Sequence, residues 1–385
     1  MKQVIHICRD QKFIGAVKYQ FDKIYENNFY YLVKDDNIQH HAKVAEDKKT
    51  KLITYEELSI LAKDIEPETV VIFHSVVNSF FDAIKKLKNK CTLVWIFFGM
   101  EIYNDSNIYS PRKLYGSKSR GFLPNKKVNH FRNIKNDLKP YIRILKPNLT
   151  YSKQEIKKRV LNSFDYLGIV YKEEYFNILK KTKIKNPNYL FFTYYPLEFI
   201  ININEPINFN KNKVMIGNSG HLTNNHFDVF SKLQKYDLND KEVVLPLGYG
   251  DPNYINEIVN NTKGYLNSDI NFITDFLELE AYNKILAEVE TFILYTRRQQ
   301  GIGNIIALLW HGAKVFLSKR NTFYHYLKRI NVTVYCYETD LNKNSIKSGL
   351  NKDKIKHNRK ILYDYLNEET VLNKLKLDFK TILDN

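Results

Sequence analysis

The amino-acid sequence predicts an α/β protein with two Rossmann-like domains and a ligand cleft between them. Its 385 residues exceed the size at which one hydrophobic core usually keeps growing. Short β-rich apolar runs alternate with longer amphipathic runs, which is typical of a mainly parallel sheet. This alternation breaks after Phe192 and starts again at Lys213. We therefore expect two sheets of this kind.

Each predicted strand is a short apolar run. In the first half these runs are Val4–Cys8, Phe29–Val33, Val70–Phe73, Thr92–Phe98, Tyr166–Val170 and Tyr189–Phe192. In the second half they are Val214–Ile216, Val243–Leu245, Asn271–Thr274, Phe292–Tyr295, Val315–Leu317 and Val332–Cys336. The last residues have helical periodicity. We expect an N-terminal domain over residues 1–205, a C-terminal domain over 206–357, and a helical segment over 358–385 that packs across both.

Composition narrows the class of protein. The three cysteines, Cys8, Cys91 and Cys336, are far apart and lack CxxC spacing, so neither a disulfide framework nor a zinc site is predicted. The N-terminus lacks a signal-peptide pattern. No apolar stretch approaches the roughly 18 residues of a membrane-spanning helix. These features predict a cytoplasmic protein.

The chain is strongly basic, with a formal net charge of +17. This excess predicts an anionic partner, namely nucleic acid, acidic lipid or a phosphorylated substrate, although an A/T-biased genome would enrich lysine without one. Between Arg112 and Lys146, eleven Lys and Arg residues accompany the single Asp137. One-sided charge among aromatic residues suits an anionic membrane surface. The residues expected at that surface are Lys126, Lys127, Arg132 and Lys135.

Two glycine-containing turns in the second half follow predicted strands and precede predicted helices. The first turn is Gly217-Asn218-Ser219-Gly220, and the second runs from Arg297 to Asn304 and contains Arg298, Gln299, Gln300, Gly301 and Gly303. Backbone N–H groups and a helix N-terminus form an anion site suited to a pyrophosphate. The first turn is also explained as an ordinary βα turn that needs glycine for its geometry. The second is more specific, because a plain turn does not require two arginines and two glutamines.

Three further side chains are candidates for ligand contact in the second half. Glu278 and Glu280 begin an amphipathic helix and would bind ligand hydroxyls, although carboxylates in a first turn also simply favour the helix dipole. Tyr249 follows a strand and would stack on a nucleobase, or else pack in its loop. The chain contains no DxD motif, so a metal-bridged diphosphate is disfavoured.

In the first half, four polar side chains end or follow predicted strands: His6, Asp10, His74 and Glu101. The carboxyl ends of strands line the ligand crevice of an open α/β sheet. These residues are therefore candidates for acid–base chemistry, although a histidine at a strand end is more often structural. Glu101 is our first choice of catalytic base and His74 the second.

The motifs resemble those of the N-acetylfucosaminyltransferases that act on a lipid-linked disaccharide, also classed as 4-alpha-L-fucosyltransferases. The resemblance is densest at Ile216–Gly220, Val243–Tyr249, Leu277–Tyr282 and Arg298–Gly303. It implies the GT-B architecture, with a sugar-nucleotide donor in the C-terminal domain and a polyprenyl-diphosphate-linked glycan acceptor. It also implies peripheral attachment to the inner face of the bacterial inner membrane, in surface-polysaccharide synthesis.

The resemblance gives roles to the candidate residues. Those of the second half would bind the donor, of dTDP type, and no cofactor or metal is expected. The chain departs from the family with Glu101 and Glu280 in place of aspartates and Asn304 in place of a threonine. Three alternatives stay open at this point: a non-catalytic binder of nucleic acid or membrane surfaces, an epimerase and a phosphorylase. The stereochemical course of the transfer is also open.

Overall fold

The computed structural model describes residues 1–34, 46–106, 108–123, 144, 150–238 and 240–384. The strands are β1 (Val4–Cys8), β2 (Asn28–Val33), β3 (Thr50–Ile53), β4 (Val70–His74), β5 (Thr92–Ile96), β6 (Tyr166–Ile169), β7 (Asn188–Phe191), β8 (Lys213–Ile216), β9 (Glu242–Pro246), β10 (Asp269–Ile273), β11 (Val289–Leu294), β12 (Lys314–Leu317) and β13 (Tyr335–Cys336).

The described helices come in the following order. They are α1 (Gln11–Ile24), α2 (Tyr55–Asp64), α3 (Phe81–Leu87), α4 (Met100–Tyr103), α5 (Pro111–Leu114), α6 (Lys153–Leu161), α7 (Lys172–Thr182), α8 (Leu197–Ile200), α9 (His226–Leu233), α10 (Pro252–Asn261), α11 (Leu279–Ala287), α12 (Ile302–His311), α13 (Thr322–Arg329), α14 (Lys352–Leu366) and α15 (Glu368–Asp384). Within this described part, no helix combines the length and apolar character that a membrane crossing requires.

The chain divides into two compact units. For the described residues, the first is drawn from Met1–Tyr109, Lys126–Tyr194 and Glu369–Asn385, and the second from Ser110–Asn125 and Tyr195–Glu368. The division therefore falls earlier than residue 205, and part of the first half of the sequence joins the second unit. The predicted C-terminal segment contains the last part of α14, which belongs to the second unit, and α15, which belongs to the first unit from Glu369 onward.

Each unit contains one parallel sheet, which confirms the prediction of two Rossmann-like sheets. The strand order is β3-β2-β1-β4-β5-β6-β7 in the first and β10-β9-β8-β11-β12-β13 in the second. Central strands such as β1, β4 and β5 are buried along most or all of their length. A parallel sheet covered on both faces needs such continuous apolar runs, which is why the sequence predicts them.

Local sequence sets several helix starts. Thr54 caps α2 in a capping box, accepting from Glu57 N at 3.1 Å while the Glu57 carboxylate accepts from Thr54 N at 2.7 Å. Asp251 caps α10, in which Pro252 occupies the first position. The core of the first unit includes Leu375, Phe379 and Ile382 of α15, so this helix covers the sheet of the first unit.

The order of the strands reverses once in each sheet, next to the strand that begins the unit. In the first sheet β1 lies between β2 and β4, and in the second β8 lies between β9 and β11. Open α/β sheets bind ligands outside the carboxyl ends of the strands at such a switch point. A ligand-binding site is therefore expected at the switch point of each sheet.

Candidate functional site

In the second unit the two glycine-containing turns follow the neighbouring strands β8 and β11 at the switch point. The turn after β8 is held by Asn224, whose Oδ1 accepts from Asn218 N at 3.0 Å and whose Nδ2 donates to Ser219 O at 2.9 Å. Gly217 has a φ of +72°, and a Cβ there would lie 2.5 Å from the His226 ring. Glycine is therefore required at this position by packing, whatever the turn binds.

The two turns are linked by a chain of side-chain hydrogen bonds. Asn218 Nδ2 donates to the Tyr249 hydroxyl at 3.2 Å, and Gln300 Nε2 donates to Asn218 Oδ1 at 3.2 Å. The Thr223 hydroxyl donates to Gln300 Oε1 at 2.7 Å. The structure thus brings together Asn218, Tyr249 and Gln300, which lie far apart in sequence. The Tyr249 side chain remains 55% exposed beside this cluster.

The N-terminus of α12 lies at this cluster. Gly301 precedes the helix with a φ of +68° and no side chain caps the first turn. A Cβ on Gly301 would lie 3.1 Å from the Asn218 side chain, whereas around Gly303 nothing would be met within 4 Å. Uncapped N–H groups at a helix start attract anions. The side of the helix at Gly303 borders open space.

Two arginines follow β11 and differ in their surroundings. Arg297 is hydrogen-bonded within the protein, because its Nη1 donates to Tyr115 O at 2.8 Å and its Nη2 donates to the Tyr295 hydroxyl. Arg298 is half-buried. Loss of hydration raises the pKa of Tyr115 and Tyr249, and in both the Arg298 charge acts in the opposite direction. The Arg298 charge therefore acts on both phenols.

The remaining candidates of the second half lie at its edge. Asn304, in the first turn of α12, donates to the Tyr282 hydroxyl at 2.8 Å. Glu278 is exposed and makes no side-chain capping bond. Glu280 pairs with Lys284 at 2.9 Å on an exposed face of α11, so its carboxylate is not drawn into the cluster. Donor binding stays a prediction for every candidate of the second half, namely Gly217, Asn218, Ser219, Gly220, Tyr249, Glu278, Glu280, Arg298, Gln299, Gln300, Gly301, Gly303 and Asn304.

In the first unit, a pocket lies at the switch point between β1 and β4. It is lined by Cys8, Arg9, Asp10, Phe13, His74, Ser75, Phe98, Met100 and Tyr194. Ser75 has a φ of +75°, a conformation that costs a non-glycine residue about 1–3 kcal/mol and that clusters at functional sites. The Phe13 ring lies 5.0 Å from that of Phe98 and 4.6 Å from that of Tyr194. The pocket thus has aromatic walls and polar groups.

His74 belongs to a buried hydrogen-bond chain whose proton positions follow from one amide. Asn28 Nδ2 donates to Tyr25 O at 2.6 Å and to Asp22 at 3.1 Å, so its Oδ1 faces His6 Nε2, 3.4 Å away. His6 therefore carries its proton on Nε2 and accepts on Nδ1 from His74 Nε2, at 3.1 Å.

This proton pattern leaves Nδ1 of His74 as an acceptor toward the Tyr194 hydroxyl, 3.3 Å away. Burial lowers the pKa of His6 to about 3 and that of His74 well below 6.5, and the neighbouring His6 lowers the latter further. Both imidazoles are therefore neutral at physiological pH. A catalytic role for His74 stays a prediction, and both His74 and Tyr194 line the pocket.

Glu101 is buried at the start of α4. Its carboxylate accepts from Trp95 Nε1 at 3.0 Å, from Phe98 N at 2.9 Å and from Gly99 N at 2.7 Å. Burial raises its pKa, and these hydrogen bonds offset part of that rise. The geometry fits a side chain that fixes the loop after β5. Its role as catalytic base stays a prediction that the hydrogen bonding does not favour.

Several predictions from the sequence concern residues outside these two sites. Lys126, Lys127, Arg132 and Lys135, assigned to a membrane surface, lie outside the described residues. Among the described residues, no group of three or more His, Cys, Asp or Glu is placed to hold a metal ion, and metal-independent chemistry stays a prediction. Sequence reasoning missed Tyr194 and Asn225, since neither forms part of a local motif.

Comparison with solved structures shows the fold. The chain is similar to alpha,alpha-trehalose 6-phosphate synthase from Burkholderia multivorans, with a TM-score of 0.62, 9% identity, and coverage of 100% of this chain and 98% of the other. A glycosyltransferase from Rickettsia africae has a TM-score of 0.56 and 14% identity, with coverage of 100% of this chain and 99% of the other. AviGT4, a glycosyltransferase involved in avilamycin A biosynthesis, has a TM-score of 0.55 and 8% identity, with coverage of 100% of this chain and 99% of the other. At these identities the likeness shows the GT-B fold alone.

Comparison with protein families is more specific. Residues 153–367, more than half of the chain, match the model of the 4-alpha-L-fucosyltransferase family, glycosyl transferase group 56. The match includes both glycine-containing turns and α12. It agrees with the family that the sequence motifs resemble. The chain therefore belongs to the 4-alpha-L-fucosyltransferase family, glycosyl transferase group 56, and is a glycosyltransferase of GT-B architecture.

Proposed function

We propose that this glycosyltransferase moves a deoxy-amino sugar, such as N-acetylfucosamine, from a nucleotide diphosphate donor to a lipid-linked glycan in bacterial surface-polysaccharide synthesis. In this proposal the second unit binds the donor and the first unit binds the acceptor. The observation that carries it is the uncapped N-terminus of α12 beside Arg298 at the switch point of the second sheet. Helix N–H groups and a guanidinium together suit a diphosphate.

The nucleoside would extend from this diphosphate site toward the exposed Tyr249 ring, held through its hydroxyl by Asn218. Half-exposed aromatic rings next to a phosphate site provide a stacking surface for a base. Charge on the leaving diphosphate would be stabilised by Arg298 and the helix dipole, without a metal. The proposed donor is of dTDP type, as the family resemblance implies.

For the acceptor, the pocket of the first unit supports the proposal. Aromatic walls from Phe13 and Phe98 suit the apolar face of a sugar ring, and the Tyr194 hydroxyl and Asp10 offer partners for its hydroxyl groups. Attachment to the inner face of the membrane is proposed from the net charge of +17 and the basic residues after Arg112.

Calorimetry with dTDP, UDP and GDP tests the donor site. We expect at least one to bind, and Arg298→Ala to weaken it about tenfold or more, because a charge-assisted hydrogen bond contributes roughly 1.5–3 kcal/mol. Arg329→Ala is the matched control, since Arg329 is exposed at the far end of α13. Absence of binding to the wild-type chain, or equal affinity in Arg298→Ala, would refute the proposal.

A further inference from the structure

A short segment from the first half of the sequence is built into the second unit. This segment, residues 114–122, lies within Ser110–Asn125 of that unit. At its far end the Phe122 ring stacks on Phe227 with centroids 4.3 Å apart. The Asp228 carboxylate accepts from Lys118 N at 3.2 Å and from Ser119 N at 2.9 Å. The segment is thus tied to α9, which follows the first glycine-containing turn.

Asn225 holds both peptide groups that flank Tyr115. Its Nδ2 donates to Leu114 O at 3.1 Å and its Oδ1 accepts from Gly116 N at 2.8 Å. The same Nδ2 donates to Tyr295 O at 2.8 Å, directly after β11. Asn225 is fully buried and has a φ of +56°, a conformation that asparagine tolerates better than most residues. One side chain therefore fixes the segment against the loop that carries the arginines.

The backbone of Tyr115 itself is also bound. Its carbonyl accepts from Arg297 Nη1 at 2.8 Å, so residues 114, 115 and 116 each contact the wall of the donor site. Gly116 has no room for a side chain, because a Cβ would lie 2.2 Å from the Asp228 carboxylate. With its main chain fixed at three points, Tyr115 presents a half-buried phenol. The Arg298 charge, one residue after the arginine that binds the Tyr115 carbonyl, acts against the rise in the pKa of this phenol that burial causes.

We propose that Tyr115 is a donor-binding residue whose hydroxyl donates to the diphosphate oxygens that Arg298 also binds. This inference rests on the proposed function and adds a residue that lies outside the donor motifs of the sequence. In this proposal the Tyr115 hydroxyl adds one hydrogen-bond donor to those of the Arg298 guanidinium on the same anion. Because the segment is fixed before the ligand arrives, little ordering is needed on binding.

The test compares Tyr115→Phe with the wild-type chain by calorimetry. The probe is whichever of dTDP, UDP and GDP binds the wild type most tightly, and inorganic pyrophosphate is used to displace it. Tyr115→Phe removes only the hydroxyl, and we expect about tenfold weaker binding of both the nucleotide and pyrophosphate, as for one hydrogen bond to a charged group. Tyr363→Phe is the matched control, because Tyr363 is an exposed residue of α14, and this variant should bind both ligands with wild-type affinity.

Unchanged affinity in a Tyr115→Phe variant with wild-type circular dichroism and melting temperature would overturn this inference and leave the donor site intact. A lower affinity for the nucleotide with an unchanged affinity for pyrophosphate would also overturn it, because Tyr115 would then contact the nucleoside and not the diphosphate. If no nucleoside diphosphate binds the wild-type chain, the proposed function fails, and the role of Tyr115 fails with it.

Discussion

Gly301 and Gly303 are two residues apart at the start of α12, but only one of them needs to be glycine for the fold. Gly301 has a positive φ, and a side chain there would press on Asn218. Gly303 lies inside the helix beside open space. From the sequence both glycines are expected to give a ligand access to the backbone. The structure separates a glycine required by backbone conformation from one that simply borders open space.

Gly303→Ala is therefore expected to weaken nucleotide binding without harming the fold. A methyl group would occupy the approach to the helix N-terminus, and we expect at least a tenfold loss of affinity, or about 1.4 kcal/mol. The free energy of unfolding should stay the same or rise by up to about 1 kcal/mol, because alanine favours a helix over glycine. Calorimetry and urea unfolding measure the two effects. Normal affinity in this variant would show that the ligand does not approach the helix here.

At the scale of elements, strands are predicted where burial on both faces makes the run continuously apolar. β1 is predicted to the residue, whereas β3, Thr50–Ile53, is missed because it is an edge strand with exposed Lys51. The glycine-containing turns are predictable because strand, turn and helix are local in sequence. The contacts of Asn225 with Leu114 and of His74 with Tyr194 span 111 and 120 residues. No local pattern encodes such pairs.

The segment of residues 114–122 depends on Asn225, and Asn225→Ala should destabilise the second unit by about 3 kcal/mol or more. This estimate adds roughly 1 kcal/mol for alanine at positive φ to the cost of leaving buried polar groups unpaired. Asn331→Ala is the matched control, since Asn331 has a φ of +66° but is exposed, so only the backbone cost should appear, about 1 kcal/mol.

The readout is urea unfolding followed by Trp310 fluorescence. Trp310 is one of only two tryptophans, and in a Trp95→Phe background it reports on the second unit alone. Equal losses of stability in Asn225→Ala and Asn331→Ala would show that the hydrogen bonds of Asn225 do not hold the segment in place.

At the scale of the whole molecule, both units bury neutral histidines. His6 and His74 lie in the first unit, and His226 and His311 in the second. Burial lowers the pKa of His226 to about 3 and is the main cause that lowers the pKa of His311 to about 4, helped by the charges of Lys211 and Arg359. Each of these groups stays neutral in the folded chain and becomes charged near pH 6.5 once unfolded. Acidification therefore favours the unfolded state of both units.

The sign of the effect follows from proton binding. Between the folded pKa values and pH 6.5 the unfolded chain binds more protons, so stability falls as pH decreases through that window. From pH 7.5 to 5.5, each buried histidine should remove about 1.4 kcal/mol from the free energy of unfolding. His226 is the clearest case, because neither of its ring nitrogens has a hydrogen-bond partner among the described residues.

Between pH 7.5 and 5.5, the free energy of unfolding of the second unit should therefore fall by about 1.4 kcal/mol less in His226→Leu than in the wild type, since leucine cannot take up a proton. Urea unfolding at pH 7.5 and 5.5, followed by Trp310 fluorescence in the Trp95→Phe background, measures it. The control is His325→Leu, because His325 is exposed on α13 of the same unit, and it should keep the full dependence. If His226→Leu loses as much stability on acidification as the control, His226 is not the buried neutral group that its surroundings indicate, and the acid sensitivity of this unit must arise from other groups.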